Sequence, residues 1–68
     1  MFDVYYSTIY QVKRIQAGLS QETAAELLGI STRNLQYIEA GVREPKIGIA
    51  FKMAELYRCD ILDFKEGI

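Results

Sequence analysis

Histidine and tryptophan are absent from these 68 residues, cysteine and proline occur once each, and no apolar run approaches the length of a membrane span. Each absence closes a class of function. Without histidine, Cys59 has no partners for a Cys/His zinc set, and no imidazole stands ready as a general base. One cysteine forms no internal disulfide, so nothing points to an oxidising compartment, and a cytoplasmic setting is expected. Neither a glycine-rich phosphate loop nor an evident carboxylate pair is present. The expectation is therefore a non-enzyme with no metal, no cofactor and no small-molecule ligand. Strand alternation of useful length is missing as well, which argues against a sheet. The opening run from Met1 to Tyr10 is apolar and aromatic, but Asp3 interrupts it and it lacks the basic start and cleavage site of a signal peptide. No membrane partner is expected. With 8 basic against 9 acidic side chains the net charge is −1, too little positive charge to coat nucleic acid by electrostatics alone.

What remains is half hydrophobic, with no Pro-, Ser- or Gly-rich stretch, no repeat and no low-complexity segment. A chain this short buries about 60% of the surface it exposes when unfolded and cannot divide its core, so residues 1–68 read as a single domain. Charge is distributed unevenly along it. Between Ser31 and Lys46 the cations Arg33, Arg43 and Lys46 outnumber Glu39 and Glu44, whereas the chain from Glu55 onward is net acidic.

Gly18, Gly29, Gly41 and Pro45 divide the sequence into helix-sized pieces. Tyr6, Ile9, Tyr10 and Lys13 recur at helical spacing, widened by Val12 and Ile15, which predicts a first amphipathic helix from Tyr5 to Gln16. Ser20 is a natural N-cap, and Glu22 complements the dipole of a second helix running to about Leu28, with Ala24, Ala25 and Leu28 inward. Gly29 supplies positive φ in an abrupt turn, and Ser31 caps a third helix that runs to Ala40. A helix, a tight glycine turn and a capped helix give the spacing of a helix-turn-helix. On the third helix Leu35 and Ile38 take one side, and at about 100° per residue Arg33, Gln36, Tyr37 and Ala40 take the other. A fourth helix is predicted from about Ile47 to Arg58, with Ile47, Ala50, Met53, Ala54 and Tyr57 as its inner stripe. Asp60 then caps a short last helix through Phe64.

The series Leu19-Ser20-Gln21, Ala25-Glu26, Leu28-Gly29-Ile30-Ser31, Ile38-Glu39-Ala40-Gly41 and Pro45 resembles the lambdoid phage repressor and Cro-like family of helix-turn-helix domains, also called XRE-like. The resemblance spans roughly Tyr10 to Phe64 and keeps several landmarks in register at once. It implies an all-α, compact five-helix bundle of the lambda-repressor-like type and a role in bacterial or phage-type transcription regulation. By the same resemblance Gln21 stands where the family bonds a DNA phosphate, and Thr32, Arg33 and Tyr37 stand where side chains face base edges. Arg14 and Glu39 match an Arg and a Glu that form a structural ion pair. The chain departs from the family at Ala24, where Leu is usual, and at Leu27, where a polar residue is common. Leu56 and Leu62 are apolar where the family is usually polar and exposed, which marks them as candidates for a subunit contact.

The chemistry of the outward side fits that reading. A guanidinium near the start of a groove-lying helix bonds guanine O6 and N7 together, which makes Arg33 the main candidate for specificity. Gln36 suits adenine N6 and N7, while Thr32 and Tyr37 suit a thymine methyl or a phosphate oxygen. Gln21, Ser31, Asn34, Arg43 and Lys46 are the candidates for phosphate contact, the last two in or beside the loop after the recognition helix. Each also has an ordinary explanation as solvated surface, and Asn34 one in local backbone bonding. The tyrosines outside the recognition helix, Tyr5, Tyr6, Tyr10 and Tyr57, read as core, and Cys59 reads as a small hydrophobe. The expected partner is a pseudo-palindromic operator in double-stranded DNA, bound by a homodimer because one recognition helix makes too few base contacts to be selective in a genome. The competing reading is a protein-interaction module, such as an antitoxin or an anti-regulator, on the same fold.

Overall fold

The computed structural model describes residues 8–65, and all their regular structure is helical: α1 (Ile9–Gln16), α2 (Gln21–Leu28), α3 (Thr32–Glu39), α4 (Ile47–Tyr57) and a closing 3₁₀ helix (Ile61–Lys65). The fold is thus an all-α domain of four α-helices and a 3₁₀ turn.

Three hydroxyl residues start the first three helices. Thr8 Oγ1 accepts from the Gln11 amide at 3.4 Å, Ser20 Oγ from Thr23 at 3.1 Å and Ser31 Oγ from Asn34 at 3.0 Å, each satisfying a donor that the first turn leaves free. Helix α1 therefore begins at Ile9 behind an extended Thr8, later than the expected start at Tyr5. The missed cap at Thr8 was hidden by the aromatic run before it. The expected core positions Tyr5 and Tyr6 lie outside the described residues. At the other end of α2, Gly29 takes φ +78°, and the Ile30 amide reaches back to the Ala25 carbonyl at 3.0 Å. That bond closes the helix and turns the chain into α3 within three residues.

Among the described elements, α2 and α3 make the most extensive contact, and α1 and α4 close over them. The centre is Ala24, Ala25, Leu28, Leu35, Ile38, Met53, Ala54, Tyr57 and Phe64, all buried, with Ile9, Tyr10, Leu19, Ile30 and Ile61 packed around it. Tyr10 and Phe64 stack at 4.9 Å between ring centroids, which ties the 3₁₀ helix to α1, and Lys13 reaches Asp63 at 3.7 Å across the same seam. Ala24, smaller than the leucine expected by resemblance, is fully buried.

Two expectations about faces need correction. Ile47 is 70% exposed rather than part of the inner stripe of α4, which Ile49 and Ala50 carry in the first turn instead. Ile15 is exposed too, one position round from the buried Arg14. Of the two leucines considered for a subunit contact, Leu62 is exposed and Leu56 is half-buried against the core. The short last helix expected after Asp60 is present, as a 3₁₀ helix. Asp60 does cap it, accepting from Leu62 at 3.1 Å and donating its own amide to Asp63 Oδ2 at 3.2 Å.

Candidate nucleic-acid interface

Burial of Leu35 and Ile38 fixes the rotation of α3, and the rest follows from helical geometry. Arg33, Gln36, Tyr37 and Ala40 are exposed on the far side, with Thr32 half-buried at the start. The residues expected on the outward face are together there. Among the described residues, Arg33 makes no side-chain hydrogen bond.

Tyr37 and Arg43 are coupled. The guanidinium of Arg43 lies 5.3 Å from the centre of the Tyr37 ring, and its Nη1 donates to Asn34 Oδ1 at 2.8 Å. Two residues on one face of α3, Asn34 and Tyr37, thus hold a loop cation beside the helix through a hydrogen bond and a cation–π contact. The loop is itself tied down, since the amides of Val42 and Arg43 both reach the Tyr37 carbonyl, at 3.0 and 3.3 Å. Asn34 accordingly uses its side chain on Arg43, not on local backbone. This arrangement was not foreseen in the sequence, where a cation two residues past a glycine carries no sign of which ring it will cover. Lys46, the N-terminal flank of α4, is exposed farther along the same loop.

Helix α1 meets α3 through an ion pair, which the N-terminus of α2 joins by a hydrogen bond. Arg14 is 8% and Glu39 4% exposed; Arg14 Nε donates to Glu39 Oε2 at 2.6 Å and Nη2 to Oε1 at 3.2 Å, while Nη1 donates to the Leu19 carbonyl at 2.7 Å. Planar two-point pairing of this kind is the geometry in which a buried pair is tolerated, and here each of the three guanidinium nitrogens makes at least one hydrogen bond. The carboxylate accepts again, from Gln21 Nε2 at 2.9 Å, and Gln36 Nε2 donates to Gln21 Oε1 at 3.3 Å. Thr8 Oγ1 donates to the Glu39 carbonyl at 2.9 Å, fastening the start of α1 to the end of α3. The expected pairing of Arg14 with Glu39 is present; the two glutamines that extend it to the surface were missed.

Ser20, Gln21, Thr32 and Gln36 line an open cleft between α2 and α3, with Gln11 of α1 at its edge. Ser31 is exposed; its oxygen accepts from Asn34, leaving the hydroxyl proton free to donate outward. Together these groups present mainly donors and cations: Arg33, Arg43 and Lys46 are exposed, with Glu44 exposed beside the last two and Glu22 at the cleft, whereas Glu39 is buried against Arg14. The local excess of positive charge read from the sequence is therefore larger at the surface than a count of residues suggests. Cys59 is half-buried, and burial pushes its thiol up, consistent with a packing role.

A family model described as Helix-turn-helix matches residues 11–64. No curated protein matches the chain.

Proposed function

Because the chain belongs to that helix-turn-helix family, we propose that it is a sequence-specific transcription regulator of the lambda-repressor-like type, laying α3 in the major groove of double-stranded DNA. The observation that carries the reading is the exposed arc of Arg33, Gln36 and Tyr37, flanked by Arg43 and Lys46 and backed by a core that fixes its rotation. In this reading Arg33 reads guanine, and Thr32 and Tyr37 meet bases or their methyl groups. Gln21, Ser31, Asn34, Arg43 and Lys46 hold phosphates and set the register without reading sequence. The regulator acts in the cytoplasm by occupying an operator, as a homodimer on half-sites about one helical turn apart, with the exposed Leu62 and the half-buried Leu56 as the leucines available for pairing. Residues 1–68 act as one domain, without metal or cofactor.

Selection from a random-duplex pool tests this. The expected result is an enriched site with two related halves. Arg33→Ala should flatten the preference at one base pair by about 1–3 kcal/mol, and Lys46→Ala should weaken binding to specific and random duplexes alike. Equal losses on both kinds of DNA for both variants would remove these roles.

A further inference from the structure

The hydrogen bonds that run outward from Glu39 have a direction imposed by chemistry. An ionised carboxylate only accepts, so Gln21 has to turn its NH2 group toward Glu39, as it does at 2.9 Å. That choice leaves Gln21 Oε1 pointing the other way, where it can only accept. Gln36 meets it with Nε2 at 3.3 Å, so its NH2 group lies toward α2 and its carbonyl oxygen lies away. Two amides that would be free to flip on an open surface are thereby set in sequence by one buried ion pair.

We propose that this relay positions a base reader: Gln21, held by Glu39, presents Gln36 in the single amide orientation whose free carbonyl oxygen and second Nε2 hydrogen match adenine. Adenine offers an N6 donor and an N7 acceptor on its major-groove edge, and a glutamine satisfies both only with one amide orientation for a given approach. Gln36 is the group that touches the base. Gln21 is a positioning residue, acting through Gln36 in addition to any phosphate it holds. Glu39 does more than neutralise Arg14, because it determines which end of each amide faces the duplex. The inference rests on the DNA-reading function proposed above and extends it to the source of one base preference.

The experiment measures base preference rather than affinity alone. Wild type, Gln21→Ala, Gln36→Ala and the double variant, each as the full chain, are bound to duplexes carrying all four base pairs at every position of the selected site, and to a random duplex. Gln36→Ala should reduce adenine preference at one base pair by roughly 5- to 100-fold, the discrimination of a bidentate glutamine contact. Gln21→Ala should lower that preference at the same base pair, and the double variant should add little, since both substitutions disable one device. Loss of a phosphate contact or a loosened fold would weaken all sequences together, leaving the preference ratio where it was. Preference unchanged in Gln21→Ala, or losses that multiply in the double variant, overturns the relay while Arg33-dependent selection stands. If wild type selects no sequence at all, the DNA-reading proposal fails instead, and the relay with it.

Discussion

Tyr57 is 5% exposed, and its hydroxyl oxygen, buried among the described residues, has no hydrogen-bond partner. A buried polar group without a partner costs about 1–3 kcal/mol in lost hydration. Tyr57→Phe keeps the ring in the core and removes the cost, so it should raise stability by about 1 kcal/mol in urea unfolding at neutral pH. A loss of stability would mean the hydroxyl is satisfied in solution. The same residue responds to alkali. Burial pushes its hydroxyl up to about 12, with the Glu39 carboxylate adding to the effect and Arg14 opposing it. A phenol raised on folding keeps its proton longer in the folded protein than in the unfolded chain, whose value is about 10. Its contribution is therefore complete below pH ~10 and is lost as pH climbs toward 12, about 2–3 kcal/mol over the interval. Tyr10, raised by burial and by Glu44, falls in the same direction. Tyr57→Phe should flatten part of the alkaline decline, and an unchanged slope between pH 10 and 12 would place the titration elsewhere. At this scale the sequence was informative where the resemblance supplied a partner, as for Arg14 and Glu39. It was silent on Gln21 with Gln36 and on Arg43 with Tyr37, because polar side chains 15 or 6 positions apart leave no periodic trace of which will meet.

Helix ends were the most legible elements, and the exception is instructive. Gly29 and Arg58 occupy the same left-handed conformation, with φ +78° and +58°, and behind each an amide reaches five residues back: Ile30 to Ala25 at 3.0 Å and Cys59 to Ala54 at 2.9 Å. A glycine announces this stop in the sequence; an arginine does not. The end of α4 could still be placed within a residue because the apolar stripe fades at Tyr57 and Asp60 opens a new cap. Side chains other than glycine carry a cost in that region of about 1–2 kcal/mol, partly offset by the extra freedom glycine has when unfolded. Arg58→Gly should therefore stabilise the fold by about 0.5–1 kcal/mol, and Gly29→Ala should destabilise it by a similar amount. The space beside Gly29 is open, so its substitution reports backbone conformation without a clash. Thermal unfolding of the two variants checks the pair, and shifts of the same sign would contradict it. The inward faces of α1 and α4 were less legible. Hydrophobic spacing gives the period of a helix, but it does not fix how wide a strip of it the neighbours cover, so Ile15 and Ile47 continued a stripe that the core does not reach.

On the whole molecule, the near-neutral charge turns from an objection into a constraint. A chain with net charge −1 has no general attraction for a polyanion, so affinity for DNA must come from the few cations placed on one side. The fold places them by concealment as much as by display, burying Glu39 against Arg14 while Arg33, Arg43 and Lys46 remain in water. Arg43, steadied by Asn34 and Tyr37, and Lys46 are the two assigned to phosphates. If each neutralises one phosphate, the logarithm of affinity should fall with the logarithm of salt concentration at a slope of about −2 for one copy and about −4 for a pair on its two half-sites. Lys46→Ala should bring the paired slope to about −2, whereas Arg33→Ala, whose proposed contact is to a base, should change preference more than slope. Titrations of the selected duplex between about 50 and 200 mM salt measure all three. A slope near zero would mean that the partner is not held through its phosphates. It would favour the competing use of this fold, a protein interface that relies on apolar contact and feels salt weakly.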